Sequence, residues 1–141
     1  MAVHVVYARA DGHSCLAPVT LRTAPAYGDP PLSTPGWRTL VWDSGPLVDP
    51  FHTSKGCGSF QLVLEGALRI RVTGGPLREA IARPGDAFVF VDTQGQGHEA
   101  SRLEGAPLTA LNLRFPADWD AVRQPFADWP EEAVPFPATS S

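Results

Sequence analysis

The chain is 141 residues long, enough for one domain with its own apolar core. Hydrophobic residues make up 43% and charged residues 18%, a balance that excludes a disordered body. The formal net charge is −4 and Lys55 is the sole lysine, so nothing offers the basic surface that binding nucleic acid requires.

In chain order, residues 1–14 carry no basic stretch followed by an apolar one, so no signal peptide is read. No apolar run approaches the roughly 20 residues that span a bilayer. The expectation is a cytoplasmic protein with no membrane contact. Short apolar runs predict strands at 3–8, 18–22, 38–42, 59–65, 67–73, 78–82, 87–91 and 108–115, with a weaker one at 99–103. The 15 prolines and 13 glycines lie between these runs as turn signals, which points to an all-β sandwich or barrel. Residues 23–35 read as a Pro/Gly-rich loop over the body, because too little chain precedes them to make a separate domain. Glu65-Gly66 marks a sharp connection, and Thr73-Gly74-Gly75-Pro76 a hairpin loop. Leu68, Ile70 and Val72 alternate with Arg69 and Arg71, the pattern of a strand with one wet face. Residues 87–91 are wholly apolar and are expected to be buried on both faces.

Beyond Phe115 the chain changes character. Asp118 is placed to cap a short helix, and Trp119, Phe126, Trp129 and Phe136 are expected to pack on the body or on a second subunit. The last four residues are expected to fray. Cys15 and Cys57 form neither a CxxC pair nor a zinc spacing, and no disulfide between them is readable.

The polar residues that interrupt apolar runs are the site candidates. His98 ends the polar run Asp92-Thr-Gln-Gly-Gln-Gly-His, directly after the buried strand, where a site rim would lie. Histidine there can be a metal ligand, a general acid/base or a hydrogen-bond donor to a ligand; the plain alternative is a histidine in a solvated loop. His52, in Asp49-Pro-Phe-His-Thr-Ser, is its candidate partner, or else an exposed loop residue. Gln61 breaks an apolar strand, and an amide buried there without partners would cost about 1–3 kcal/mol. It therefore faces a polar pocket or water, and Ser59 shares its face by alternation. Asn112 repeats the pattern in a second strand. Trp42 and Phe88, with Trp37, line an apolar pocket or belong to the core. Asp92 orients His98, acts as a base or, the plainer choice, caps the polar loop. Cys57 reads as a small half-buried thiol, and His4 and His13 as surface residues. Phosphate-loop, dinucleotide, nucleophile-elbow and His-Glu-x-x-His motifs are absent.

Two runs carry a family resemblance. The first is Ser59-Phe-Gln-Leu-Val-Leu-Glu-Gly66 followed by Ala-Leu-Arg-Ile-Arg-Val. The second is Pro84-Gly-Asp-Ala-Phe-Val-Phe-Val-Asp-Thr-Gln-Gly-Gln-Gly-His98. In order and spacing they resemble the two motifs of the cupin superfamily, over the stretch 52–115. The resemblance implies an all-β fold, a cupin-type double-stranded β-helix (jelly-roll) barrel. It would be a single domain over 1–141, with N-terminal strands and loop 1–49, a motif region 50–115 and a short helical or irregular tail 116–141. It also implies a site inside the barrel and a homodimer, for which the aromatic tail offers an interface.

Cupin metal sites pair three histidines with a glutamate, a set for divalent transition metals. Aligned on Gly66, His52 and His98 fall on two of those positions, while Ser54 and Ser59 occupy the others. Neutral serine is a poor ligand for such ions, so the expectation is a metal-free pocket; a weak set of His52, Gln61 and His98 is the alternative. The leading expectation is an enzyme, with His98 and His52 as catalytic residues and Gln61, Ser59, Asn112, Trp42 and Phe88 against the substrate. Its reaction would be isomerisation, cyclisation, dehydration or decarboxylation of a hydrophobic organic molecule. A metal-dependent cupin such as a dioxygenase and a non-catalytic small-ligand binding protein are the alternatives.

Overall fold

The computed structural model describes residues 1–22 and 36–136. The loop expected at 23–35 and the fraying terminus lie outside the described residues, as does the side chain of Trp37. In chain order the strands are β1 (Val3–Ala8), β2 (Ser14–Leu21), β3 (Gly36–Trp42), β4 (Val48–His52), β5 (Ser59–Glu65) and β6 (Leu68–Arg71). They continue with β7 (Glu79–Ala82), β8 (Ala87–Phe90), β9 (His98–Arg102) and β10 (Leu108–Arg114). An α-helix, α1 (Trp119–Arg123), and a short β11 (Phe126–Ala127) follow.

Two sheets form. The large one runs β11-β2-β1-β8-β5-β10-β3 and the small one β4-β9-β6-β7. The fold is all-β, but the expected closed barrel is corrected to two separate sheets. The reason lies at β8. Closure on that side would need β8 to pair with β7, yet β8 pairs in parallel with β1, matching Val3 to Ala87 and Val6 to Phe90. The N-terminal strands thus extend the large sheet past the point where a barrel would turn.

Alternation along the strands divides the apolar side chains into two cores. Val6, Val63, Ile70, Phe88, Phe90 and Ala100 meet between the sheets. Val3, Val5, Tyr7, Val89 and Val91 face the other side of the large sheet, where the C-terminal segment covers them. This is why 87–91 reads as continuously apolar: both of its faces are covered. On the covering segment, Trp119 packs edge-on against Trp129 and Phe136, while Trp129 stacks on Phe126. Phe126 and Phe136 are buried, each worth about 1.5–3 kcal/mol. The tail's aromatics therefore pack on the chain's own sheet, the first of the two expected partners. Asp118 caps α1 through its carboxylate, which accepts from the Ala121 amide at 3.2 Å. The Tyr7 hydroxyl donates to Glu132, and Val134 N–H to the Ala8 carbonyl, pinning the tail to β1. Burial, reinforced by Glu132, pushes the Tyr7 phenol well above its ordinary range.

Several boundaries differ from expectation. β2 begins at Ser14 rather than 18, because all six β1 residues find partners there. β4 was not predicted at all, since Pro50 sits in its middle. It survives as an edge strand, bonded only to β9 and irregular between Asp49 and His52, where a missing N–H does little harm. His98, expected at the end of a loop, is the first residue of β9. Cys15 is a buried free thiol, and Cys57 a half-buried one. Among the described residues no helix is long and apolar enough to cross a membrane.

Candidate functional site

The β4–β9 pairing puts His52 directly opposite His98. Their rings lie 4.6 Å apart, and the ring of Phe90 lies 4.7 Å from that of His98. Gly97 makes this approach feasible. Its φ is +79°, and a Cβ there would sit 2.0 Å from the His52 carbonyl oxygen. Only glycine tolerates both constraints.

Behind His98 stands Asp92, fully buried. Its carboxylate takes three side-chain hydrogen bonds: from His98 Nδ1–H at 2.7 Å, Ser54 Oγ at 2.8 Å and Ser14 Oγ at 3.0 Å. The Asp92 carbonyl also accepts from Ser54 N–H at 2.9 Å. An ionised carboxylate only accepts, so the proton on this side belongs to the imidazole and Nε2 is the nitrogen left free. The His98 side chain is 5% exposed and lines the cavity. His52 is arranged in parallel but at the surface. Its Nδ1–H donates to the Pro50 carbonyl at 2.7 Å, and its Nε2 lies 3.6 Å from Asp49, with 41% of the side chain exposed.

The cavity between the sheets has a volume of about 710 Å³, within the usual range for small-ligand sites. Its floor is apolar, from Leu40, Trp42, Leu68, Leu108 and Ala110. Trp42 turns its N–H to the Pro46 carbonyl at 3.1 Å and carries Arg102 over its ring, so it presents hydrocarbon to the cavity. Ser59 and Gln61 line the wall from β5, and Asn112 from β10 opposite Gln61. Asn112 is buried and its Oδ1 has no hydrogen-bond partner. Arg38, Lys55, Arg114 and Asp49 complete the polar lining.

The structure thus brings together six of the seven residues singled out from sequence: His52, His98, Ser59, Gln61, Asn112 and Trp42. Phe88 is placed elsewhere. It is fully buried in the inter-sheet core against Phe90, at 5.7 Å, and does not line the cavity. Phe90, one alternation further along β8, supplies the aromatic wall instead. Sequence reasoning took Asp92 for a loop cap and passed over Ser14, Arg38 and Arg114. For Arg114 a signal existed: Leu108, Ala110, Asn112 and Arg114 share one face of a strand.

The metal expectation can be tested on the donor set. Ser54, at one of the ligand positions, is turned away and donates to Asp92. Ser59 brings neither charge nor nitrogen. Among the described residues no three His, Cys, Asp or Glu side chains converge. Two imidazoles and a neutral amide do not make a set that fits a divalent transition metal.

No family model matches the sequence, and no curated protein is detectably similar to it.

Proposed function

We propose that the chain is a cupin-type jelly roll that binds a small organic molecule between its sheets and works on it by histidine acid–base chemistry. The order of strands supports the jelly-roll reading: β3, β10, β5 and β8 lie side by side in one sheet, and β4, β9, β6 and β7 in the other. The two free thiols and the absence of an apolar helix among the described residues agree with a cytoplasmic protein.

The observation that carries the functional reading is the buried Asp92–His98 pair on the cavity wall. A carboxylate taken fully out of water is expensive unless its partners compensate. Here the compensation also fixes one tautomer and one orientation of a ring whose other nitrogen is free. That arrangement suits a group that takes a proton from bound substrate and returns it at a second position. His52 and Gln61 flank the same space and are suited to orient the substrate. The reaction classes that need no more than this are isomerisation, cyclisation, dehydration and decarboxylation. A binding protein, in which Asp92 only ties β2, the segment after β4 and β9 together, is the competing reading.

The test is a panel of enolisable carbonyl compounds incubated with the protein in D2O and read by mass spectrometry. Wild type is expected to drive deuterium into, or convert, at least one compound that binds, and His98→Ala to lose this while keeping its circular dichroism spectrum. Undiminished exchange in His98→Ala, or binding without exchange or conversion across the panel, overturns the reading in favour of the binding protein.

A further inference from the structure

We infer that the ligand of this cavity is an organic anion, a small hydroxy carboxylate held by Arg38 and Arg114 with its hydroxyl on Asn112. The inference rests on the reading above that the cavity is a small-molecule site, and it names the chemistry of what enters.

The first observation is the placement of charge. The chain is acidic overall, at −4, yet the cavity is lined by three cations, Arg38, Lys55 and Arg114, against one carboxylate, Asp49. Of the other arginines, Arg9 pairs with Asp11, Arg71 with Glu79 and Glu99, and Arg123 with Asp120; Arg22, Arg78 and Arg102 donate to backbone carbonyls, and among the described residues Arg69 and Arg83 have no ion pair. Among the described residues the three cavity cations have no such partner. Guanidinium groups left unpaired beside an apolar floor attract anions, and their planar fork fits a carboxylate.

The second observation is where the register puts them. Arg38 lies opposite Asn112 across β3–β10, and Asn112 opposite Gln61 across β10–β5. Arg114 is the next inward residue of β10, opposite Ser59. The two arginines therefore flank Asn112 on one wall. Arg114 reaches over the turn at Gly56, where a Cβ would come within 2.9 Å of its Nη2, so the glycine leaves room for the guanidinium.

The third observation is the orphaned amide oxygen. Asn112 is more than nine-tenths buried and its Oδ1 has no partner in the protein. A buried acceptor left unpaired is unfavourable, and a ligand hydroxyl or amine beside the carboxylate would satisfy it. The apolar floor of Leu40, Trp42 and Leu108 then takes the hydrocarbon part. A bound 2-hydroxy acid would meet all three surfaces at once.

The experiment is titration calorimetry of the full chain with three acids, phenyllactate, mandelate and 2-hydroxyisocaproate. Each is compared with its methyl ester and with the acid lacking the hydroxyl. At least one acid is expected to bind about tenfold or more tightly than its ester and measurably more tightly than its deoxy counterpart, with affinity falling as salt is raised. Arg38→Gln and Arg114→Gln, both at exposed side chains, are each expected to weaken that acid about tenfold and leave the ester unchanged. Esters that bind as well as acids, or acids indifferent to both substitutions, overturn the inference while the cavity remains a ligand site. If no compound of either set binds or shifts the His98 ring resonances, the small-molecule reading itself falls, and this inference with it.

Discussion

Replacing Asp92 tests how much of the site is held by one carboxylate. In Asp92→Asn the shape is kept, but the amide has one acceptor where the carboxylate had two. The bonds from Ser54, Ser14 and His98, at 2.8, 3.0 and 2.7 Å, lose their charge assistance. A hydrogen bond to a charged group is worth about 1.5–3 kcal/mol and a neutral one about 0.5–1.5, so three bonds lose roughly 3–4 kcal/mol together. Relief from burying a charge returns part of that, which leaves a net loss of about 1–3 kcal/mol. Asp92→Ala gains the same relief but keeps no acceptor: it strands the imidazole N–H and two hydroxyls and opens a small void, for about 3–5 kcal/mol. Urea unfolding at neutral pH measures both. The asparagine variant makes a second, sharper statement. Its amide nitrogen, if turned toward His98, meets Nδ1 as a donor and drives the imidazole proton to Nε2, so ¹⁵N NMR of the ring reports a change of tautomer. An Asp92→Asn protein within about 0.5 kcal/mol of wild type, with the His98 tautomer unchanged, would refute the argument that Asp92 both stabilises and orients this ring.

Two further outcomes follow from the same geometry. Gly97→Ala places a methyl 2.0 Å from the His52 carbonyl at a positive φ and should cost well over about 2 kcal/mol and separate β4 from β9; Gly45→Ala, also at positive φ but with open space around it, should cost only about 1–2 kcal/mol. Chemical denaturation of both variants, with cross-strand NOEs between His52 and His98, checks the difference. Asp86 accepts from the amides of Ala2 and Arg83, which hold its carboxyl below the ordinary carboxylate range. Its contribution is complete above the unfolded-state pKa near 3.9 and is lost as pH falls through the lower folded value. Asp86→Asn is therefore expected to cost about 1 kcal/mol at neutral pH, discounted for solvent screening, and to flatten the acid limb of a stability–pH curve; an unchanged acid limb counts against it.

What was legible in the sequence divides by the range of the interaction that decides it. Strands with uninterrupted alternation, such as those around Leu68–Arg71 and Leu108–Arg114, could be placed because each residue's face follows from its neighbours two positions away. The grouping of Ser59, Gln61 and Asn112 was readable for the same reason: polar residues on the inner face of core strands have to meet something polar. The edge strand carrying His52 was not, because Pro50 speaks locally against a strand and only its pairing to β9 rescues it. Nor was the failure of the sheets to close, which depends on β1 reaching β8 across more than eighty residues.

Asp92 is the sharpest case. In the run Asp-Thr-Gln-Gly-Gln-Gly-His it has the composition of a solvated loop, and a local reading makes it a cap. Its burial comes from the N–H of Val91 bonding to Val6, from Ser14 78 residues away and from Ser54 38 residues away. No window of sequence contains all three. A lone carboxylate next to a histidine-terminated turn gains meaning only once separate strands close over it, and that closure turns a histidine of ordinary type into one with a fixed tautomer on a cavity wall. The serine at position 54 makes the same point in reverse. Judged as a metal ligand it is a defect, whereas in the fold it is the hydroxyl that lets a charged carboxylate sit out of water behind His98.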